Sequence, residues 1–337
     1  MPENVADKKS TKGPQSMLTV RNAMRWLEEE GVVDSQVGRG TFVLKNFKAN
    51  DMTSVKTVSV LREDYPSRRV DEISRKLHRH IIERGNKSLT VTYSDVRYAM
   101  DVMAPTPPSD AYVLLAPAPV VPVDLLAFLR KRTPVVILAG ASTSGVDIDA
   151  IGTDCSYSVK YALDHLVEKG HTRIGFASGE PLQRIQERYS MFCLQMQSRG
   201  LEHSDGMAVL AQTEAGESPS PNIRHKFDDL FTACRDRPLP FTALLVWSHA
   251  SAVGIIESCQ RFGVKIPEDL SLVVADCPDL DARFVDTLTM VGRPLSRVVD
   301  SLCARIDQRW NDPGLSYEII REKSELFDRG SVRDLVR

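Results

Sequence analysis

From residue 57 onward, short apolar runs alternate with stretches whose apolar residues recur three and four positions apart. Thr57 to Leu61 is β-branched and strand-like, Val70 to Glu83 puts Val70, Ile73, Leu77 and Ile81 on one side of a helix, and Leu89 to Tyr93 is strand-like again. The pattern goes on to predict a helix over 96–103, a strand over 111–116, a helix over 123–132 and a strand over 134–139. A helix over 155–169, a strand over 172–177, a helix over 186–199 and a weaker strand over 207–211 follow. A helix over 221–236 and strands over 243–247 and 270–275 complete the series. Alternation of this kind argues for parallel sheets covered by helices on both faces, and two such sheets are needed to use up the chain. The expected class is therefore α/β with doubly wound parallel sheets.

The N-terminal stretch from Ser16 to Val43 reads differently. Ser16 is placed to cap a helix whose Val20, Met24, Trp26 and Leu27 fall largely on one face, which leaves Thr19, Arg21, Asn22 and Arg25 for solvent or a ligand. Gly31 ends that helix, and Val32-Val33 opens a strand that turns at Gly38-Arg39-Gly40 and returns through Thr41-Phe42-Val43. Two glycines flanking an arginine bring a hairpin tip close to a surface while presenting a cation. A phosphate backbone or a narrow minor groove is the natural acceptor. Residues 44 to 54 carry no periodicity and read as a linker, so the expected boundaries are 1–44, 45–54 and 55–337.

The run Ser16, Thr19-Val20-Arg21, Leu27, Glu30-Gly31-Val32-Val33, Gly38-Arg39-Gly40-Thr41-Phe42-Val43 resembles the second half of the winged helix-turn-helix of bacterial GntR-type transcription regulators, without a gap. The resemblance implies a major-groove helix opening with Ser16, Thr19, Arg21 and Asn22, and a wing that lays Gly38, Arg39 and Gly40 on the DNA backbone or in the minor groove. That family has two further helices before this point. Here only MPENVADKKSTKGPQ precedes Ser16, interrupted at Gly13-Pro14 and without an apolar repeat, so a partial winged helix or an upstream start is expected.

Composition refines the picture without redirecting it. With 337 residues, 42% hydrophobic and 26% charged, the chain is of ordinary globular type and long enough for two domains. Its net charge of −2 gives no bulk signature of nucleic-acid binding, so recognition of DNA must come from local charge. The six cysteines form no Cys-x-x-Cys pair, and no apolar run is long enough for a signal peptide or a membrane span. A cytoplasmic protein is expected.

Residues 55 to 335 resemble the effector-binding domain of LacI/GalR-type repressors, a relative of the periplasmic sugar-binding proteins. The resemblance is carried by Pro134-Val135-Val136, by Ile151-Gly152-Thr153-Asp154, and by Ala162-x-x-His165-Leu166-Val167-x-x-Gly170-His171-x-Arg173-Ile174-Gly175-Phe176. It continues through Arg188 with Phe192, Ala252-x-Gly254, Gly263-x-x-Ile266-Pro267-Glu268-Asp269-Leu270-Ser271-Leu272-Val273 and Arg329-Gly330-Ser331. It implies two lobes with a ligand cleft between them at the carboxyl ends of the strands. By position, Arg188 and Asp276 correspond to ligand-contacting residues of that family, and an arginine with an aspartate offers fixed donors and acceptors to a polyol. Ser248-His249 stands where the family usually has Asn-Asp. Trp247 either stacks in the cleft or fills core, and His249 either titrates beside the ligand or is a satisfied structural histidine.

Enzyme signatures are not found: the sequence has no Gly-x-Gly-x-x-Gly after the first strand, no Walker-type Gly-Lys-Ser/Thr, no Gly-x-Ser-x-Gly and no His-x-x-x-His. No catalytic residue, metal site or cofactor is expected. The resemblances together imply a ligand-responsive regulator with operator DNA, a small-molecule effector such as a sugar and a second copy of the chain as partners, and no membrane. The alternative is a small-molecule sensor that has lost operator binding.

Overall fold

The computed structural model describes residues 24–25, 27–28, 33–36, 40–43, 55–116, 121–140, 146–180, 182–202, 204–214 and 216–336. The chain divides into two compact units, Met1–Val55 and Lys56–Arg337.

In the first unit residues 24, 25, 27 and 28 are helical, with Met24 and Leu27 half-buried and Arg25 and Glu28 exposed. β1 (Val33–Gln36) pairs antiparallel with β2 (Gly40–Val43), Val33 opposite Val43 and Gln36 opposite Gly40.

The second unit holds the strands β3 (Thr57–Glu63), β4 (Lys87–Tyr93), β5 (Ala111–Leu115), β6 (Val136–Ala139), β7 (Asp149–Thr153) and β8 (Ile174–Ser178). β9 (Ala208–Leu210), β10 (Ala243–Trp247), β11 (Ser271–Ala275), β12 (Thr289–Gly292), β13 (Ile319–Glu322) and β14 (Glu325–Phe327) follow. Its helices are α1 (Arg68–Glu83), α2 (Val96–Met103), α3 (Val123–Arg132), α4 (Cys155–Glu168), α5 (Leu182–Ser198), α6 (Pro219–Ala233), α7 (His249–Phe262) and α8 (Leu295–Asn311).

Two sheets form two lobes. The first runs β13-β7-β6-β5-β3-β4, parallel throughout. The second runs β14-β12-β11-β10-β8-β9, parallel except for β14 at its edge. The chain crosses between lobes after β7, after β12 and again between β13 and β14. α8 returns to pack on α1 and β6 of the first lobe, while α4 lies on the second sheet. The central strands β5, β6, β10 and β11 are buried almost end to end, which is why their sequence is apolar without alternation.

Local chemistry sets the element ends. α1 begins at Arg68, two residues before the apolar repeat, because the Ser67 hydroxyl accepts from Val70 N. α6 begins at Pro219, whose missing N–H costs nothing in a first turn. β6 starts at Val136 rather than at Pro134, since proline cannot donate to the ladder.

One buried ionic cluster ties the crossings to the first sheet. Asp149, fully buried at the start of β7, accepts from Arg309 Nε at 2.6 Å, from Arg305 Nη2 at 2.6 Å and from Glu318 N at 3.0 Å. Burial alone would raise its carboxyl, but the hydrogen bonds from Arg309 and Arg305 outweigh that and hold it below the ordinary value. No described helix is long and apolar enough to cross a membrane.

Candidate functional site

The two sheets present the carboxyl ends of their strands to one cleft of about 1260 Å³, its open mouth included. The first lobe contributes Tyr65 and Ser67 from the β3–α1 turn and Arg69 from the first turn of α1, with Gly140 and Thr153 after β6 and in β7. From the second lobe come Glu180 after β8, Arg188 of α5, Trp247 and Ser248 at the end of β10, Asp276 and Cys277 after β11, and Arg293 after β12. In a doubly wound sheet the helix starts and strand ends converge there, so side chains far apart in sequence meet.

On the β10 side, Trp247 is half-buried and the Arg188 guanidinium lies 4.9 Å from its ring centroid. Ser248, next along, holds a left-handed backbone at φ 78° and caps α7, its hydroxyl accepting from Ser251 N at 3.3 Å. The Ser251 hydroxyl in turn accepts from Gly179 N at 2.9 Å, which braces the ends of β8 and β10 against each other. Asp276 is fixed by two backbone donors, His249 N on Oδ2 at 2.9 Å and Cys277 N on Oδ1 at 2.7 Å. Gly292 lies against its main chain, so closely that a Cβ there would collide with the Asp276 carbonyl.

Charge in the cleft is mixed. Arg293 is 8% exposed, forms an ion pair with Glu322 and donates to Ser301 Oγ at 3.2 Å. Burial draws its cation down, Glu322 opposes this, and the neighbouring Arg297 and Arg69 add to the downward pull. For Arg69 the order differs: the Cys277 sulfur raises its proton affinity, burial lowers it, and Asp276 and Cys155 raise it further, so it stays a cation. Burial pushes the Cys277 thiol up to about 12, which makes it a poor nucleophile at neutral pH.

Hydrogen bonds also cross from lobe to lobe beside the cleft. Tyr65 Oη donates to Glu180 Oε2 at 2.8 Å, and Arg68 Nε donates to the Asp281 carbonyl at 2.8 Å. Both first-lobe residues lie in or beside the β3–α1 turn.

Of the residues expected from sequence to meet an effector, Arg188, Trp247, Ser248 and Asp276 line this one cleft. His249 does not line it: the residue is buried and Nε2 lies 2.7 Å from the Arg283 carbonyl, so it serves as a structural histidine. Its contact with Asp276 is through the backbone N–H alone. Tyr65, Arg69, Glu180 and Arg293 were not expected, although each follows the carboxyl end of a strand, which is the signal that could have found them. Of the residues expected at DNA, Gly40 opens β2, while Ser16, Thr19, Arg21, Asn22, Gly38 and Arg39 lie outside the described residues. Among the described residues no three His, Cys, Asp or Glu side chains converge to hold a metal ion.

The family described as periplasmic binding protein-like domain matches residues 163–332. The HTH-type transcriptional repressor PurR of Photobacterium profundum is 25% identical over 215 residues, 63% of this chain and 61% of that protein. The ribose operon repressor of Escherichia coli K12 is 27% identical over 208 residues, 59% of this chain and 58% of that one. The chain thus spans about three-fifths of the curated relatives it matches. Among solved structures, a LacI family regulator of Enterococcus faecium with bound ribose superposes with a TM-score of 0.65 at 19% identity, over 83% of this chain and all of that one. The LacI family regulator CCPA of Weissella paramesenteroides with bound glucose gives 0.66 at 22%, over 84% and 100%. These neighbours share the fold, and none of the four is named as a GntR-type regulator.

Proposed function

The chain belongs to the periplasmic binding protein-like domain family, and from that premise we propose that it is a ligand-responsive transcription regulator acting as a homodimer. The observation that carries this is the convergence of Arg188, Trp247, Ser248 and Asp276 on one interlobe cleft of a chain whose N-terminal unit also pairs β1 with β2 antiparallel. An aromatic face, a guanidinium and a pinned carboxylate are what a sugar-sized polar effector needs: a ring platform and directional donors and acceptors. The relatives that match by sequence include repressors, and the solved neighbours include regulators holding ribose or glucose.

The N-terminal unit is the reading head, of GntR-type winged-helix character. Ser16, Thr19, Arg21 and Asn22 address the major groove and the Gly38-Arg39-Gly40 tip addresses the phosphate backbone or minor groove. This rests on the sequence spacing and on the exposed Arg25. Effector binding closes the lobes and changes the spacing of two such heads on an operator's half-sites.

The test is a salt titration of binding to DNA from upstream of the protein's own gene, with native chain and Arg39→Ala compared. Binding that falls steeply with salt, with a log–log slope shallower by about one in the variant, supports the reading. Affinity no better than for random DNA, and equal in both proteins, refutes it in favour of a sensor without a reading head.

A further inference from the structure

Three arginines line the cleft against two carboxylates, and their commitments differ. Both oxygens of Asp276 accept backbone N–H groups, and Glu180 accepts from Tyr65. Arg293 is engaged by Glu322, and Arg188 stacks on Trp247. Arg69, at the first turn of α1, has no hydrogen bond and no ion pair within 4 Å among the described residues, although it is half-buried at the cleft wall. None of its nitrogens is both buried and unpaired, so its N–H donors stay open to the cleft, where a ligand group can take them up. Arg293 nearby carries the same sign of charge, and the carboxylates around the two are already engaged, Glu322 by Arg293 and Asp276 by two backbone N–H groups.

We infer that the effector carries an acidic group, a carboxylate or a phosphate, and that Arg69 reads it. This rests on the proposal that the cleft is the effector site. A planar fork of N–H donors matches two oxygens of one anion in parallel, whereas a hydroxyl offers a single oxygen. Trp247, Arg188 and Asp276 remain for the neutral polar body of the same ligand. The inferred class is thus a sugar acid or sugar phosphate, and Arg69 is a specificity-determining residue.

Calorimetric titration of the full chain tests it with matched probes: glucose, glucuronate and glucose 6-phosphate, then ribose and ribose 5-phosphate. An acidic probe is expected to bind about ten- to a hundredfold more tightly than its neutral parent, the worth of a charge-assisted hydrogen-bond pair. Which arm responds, glucuronate or the phosphates, identifies the anion. Arg69→Gln is expected to erase the difference between acid and neutral parent, and Arg69→Lys, which keeps the charge without the fork, to recover part of it; thermal melts of both variants check folding. Neutral parents that bind as tightly as the acids, with binding lost in Trp247→Ala, would overturn the acidic class and leave the effector site standing. An acid's advantage that survives in Arg69→Gln would overturn the role of Arg69. Absence of binding by every probe would overturn this inference together with the sugar reading of the cleft.

Discussion

Single residues carry the sharpest consequences. Asp149 pairs with both Arg305 and Arg309, whose side chains are 4% and 1% exposed; Arg305 also reaches Glu318 at 3.2 Å, so Asp149→Asn leaves the buried Arg309 without its counter-charge and Arg305 with one carboxylate instead of two. Urea denaturation is expected to show a loss of about 3–5 kcal/mol. His171 is fixed at both ring nitrogens, Nδ1 2.9 Å from Thr242 Oγ1 and Nε2 3.1 Å from the Arg333 carbonyl. Burial lowers its pKa from 6.5. The folded chain holds it neutral while the unfolded chain protonates it first, so its contribution to stability is present above pH 6.5 and is lost as pH falls through the lowered folded value. Between pH 7 and 5 native stability is expected to fall by up to about 1.4 kcal/mol per unit from this one group, and His171→Asn to flatten the slope. The same scale explains what the sequence told of the site. Arg188 and Asp276 were named by their positions in the resemblance to LacI/GalR-type repressors, and Trp247 and Ser248 by their place at the end of the Ala243 strand. Arg69 and Glu180 were not, because an arginine at a helix start and a glutamate after a strand look like ordinary surface charge until the lobes face each other.

At the scale of elements, legibility followed the purity of the apolar pattern. α1 and β10 announce themselves, the one by Ile73, Leu77 and Ile81 on a single face, the other by an unbroken apolar run. α8 does not, since its buried face carries Arg305 and Arg309 among Val298, Leu302 and Ile306 and so breaks the stripe. β7 hides for a related reason, with a buried aspartate at its first position. β13 and β14 are short edge strands with half-exposed residues, where period and composition carry little information. Packing between elements yields its own expectation. α6 and α7 approach so closely at Gly254 that a Cβ would stand 2.7 Å from Ile223 Cγ2 and would collide with the Ser220 carbonyl. Gly254→Ala is expected to cost about 1–3 kcal/mol by pushing the two helices apart, read as a drop in melting temperature.

For the molecule as a whole, function resides in the relation between two lobes. Tyr65 and Arg68 reach from the β3–α1 turn to Glu180 and to the Asp281 carbonyl, beside the cleft that a ligand would fill. Tyr65→Phe removes one of these links without changing the ring. If lobe closure accompanies binding, the variant is expected to bind effector about five- to tenfold more weakly, on the scale of one hydrogen bond, with native thermal stability in the absence of effector. The central claim is that occupancy of the cleft and affinity for DNA are coupled. Fluorescence anisotropy of labelled DNA from the protein's own upstream region, titrated with the chain in the absence and presence of a cleft-binding effector, measures it most directly. The expected result is a change in DNA affinity of about five- to 150-fold, in either direction, matched by an equal change in effector affinity when DNA is present. Identical DNA affinity with the cleft empty and full would contradict it.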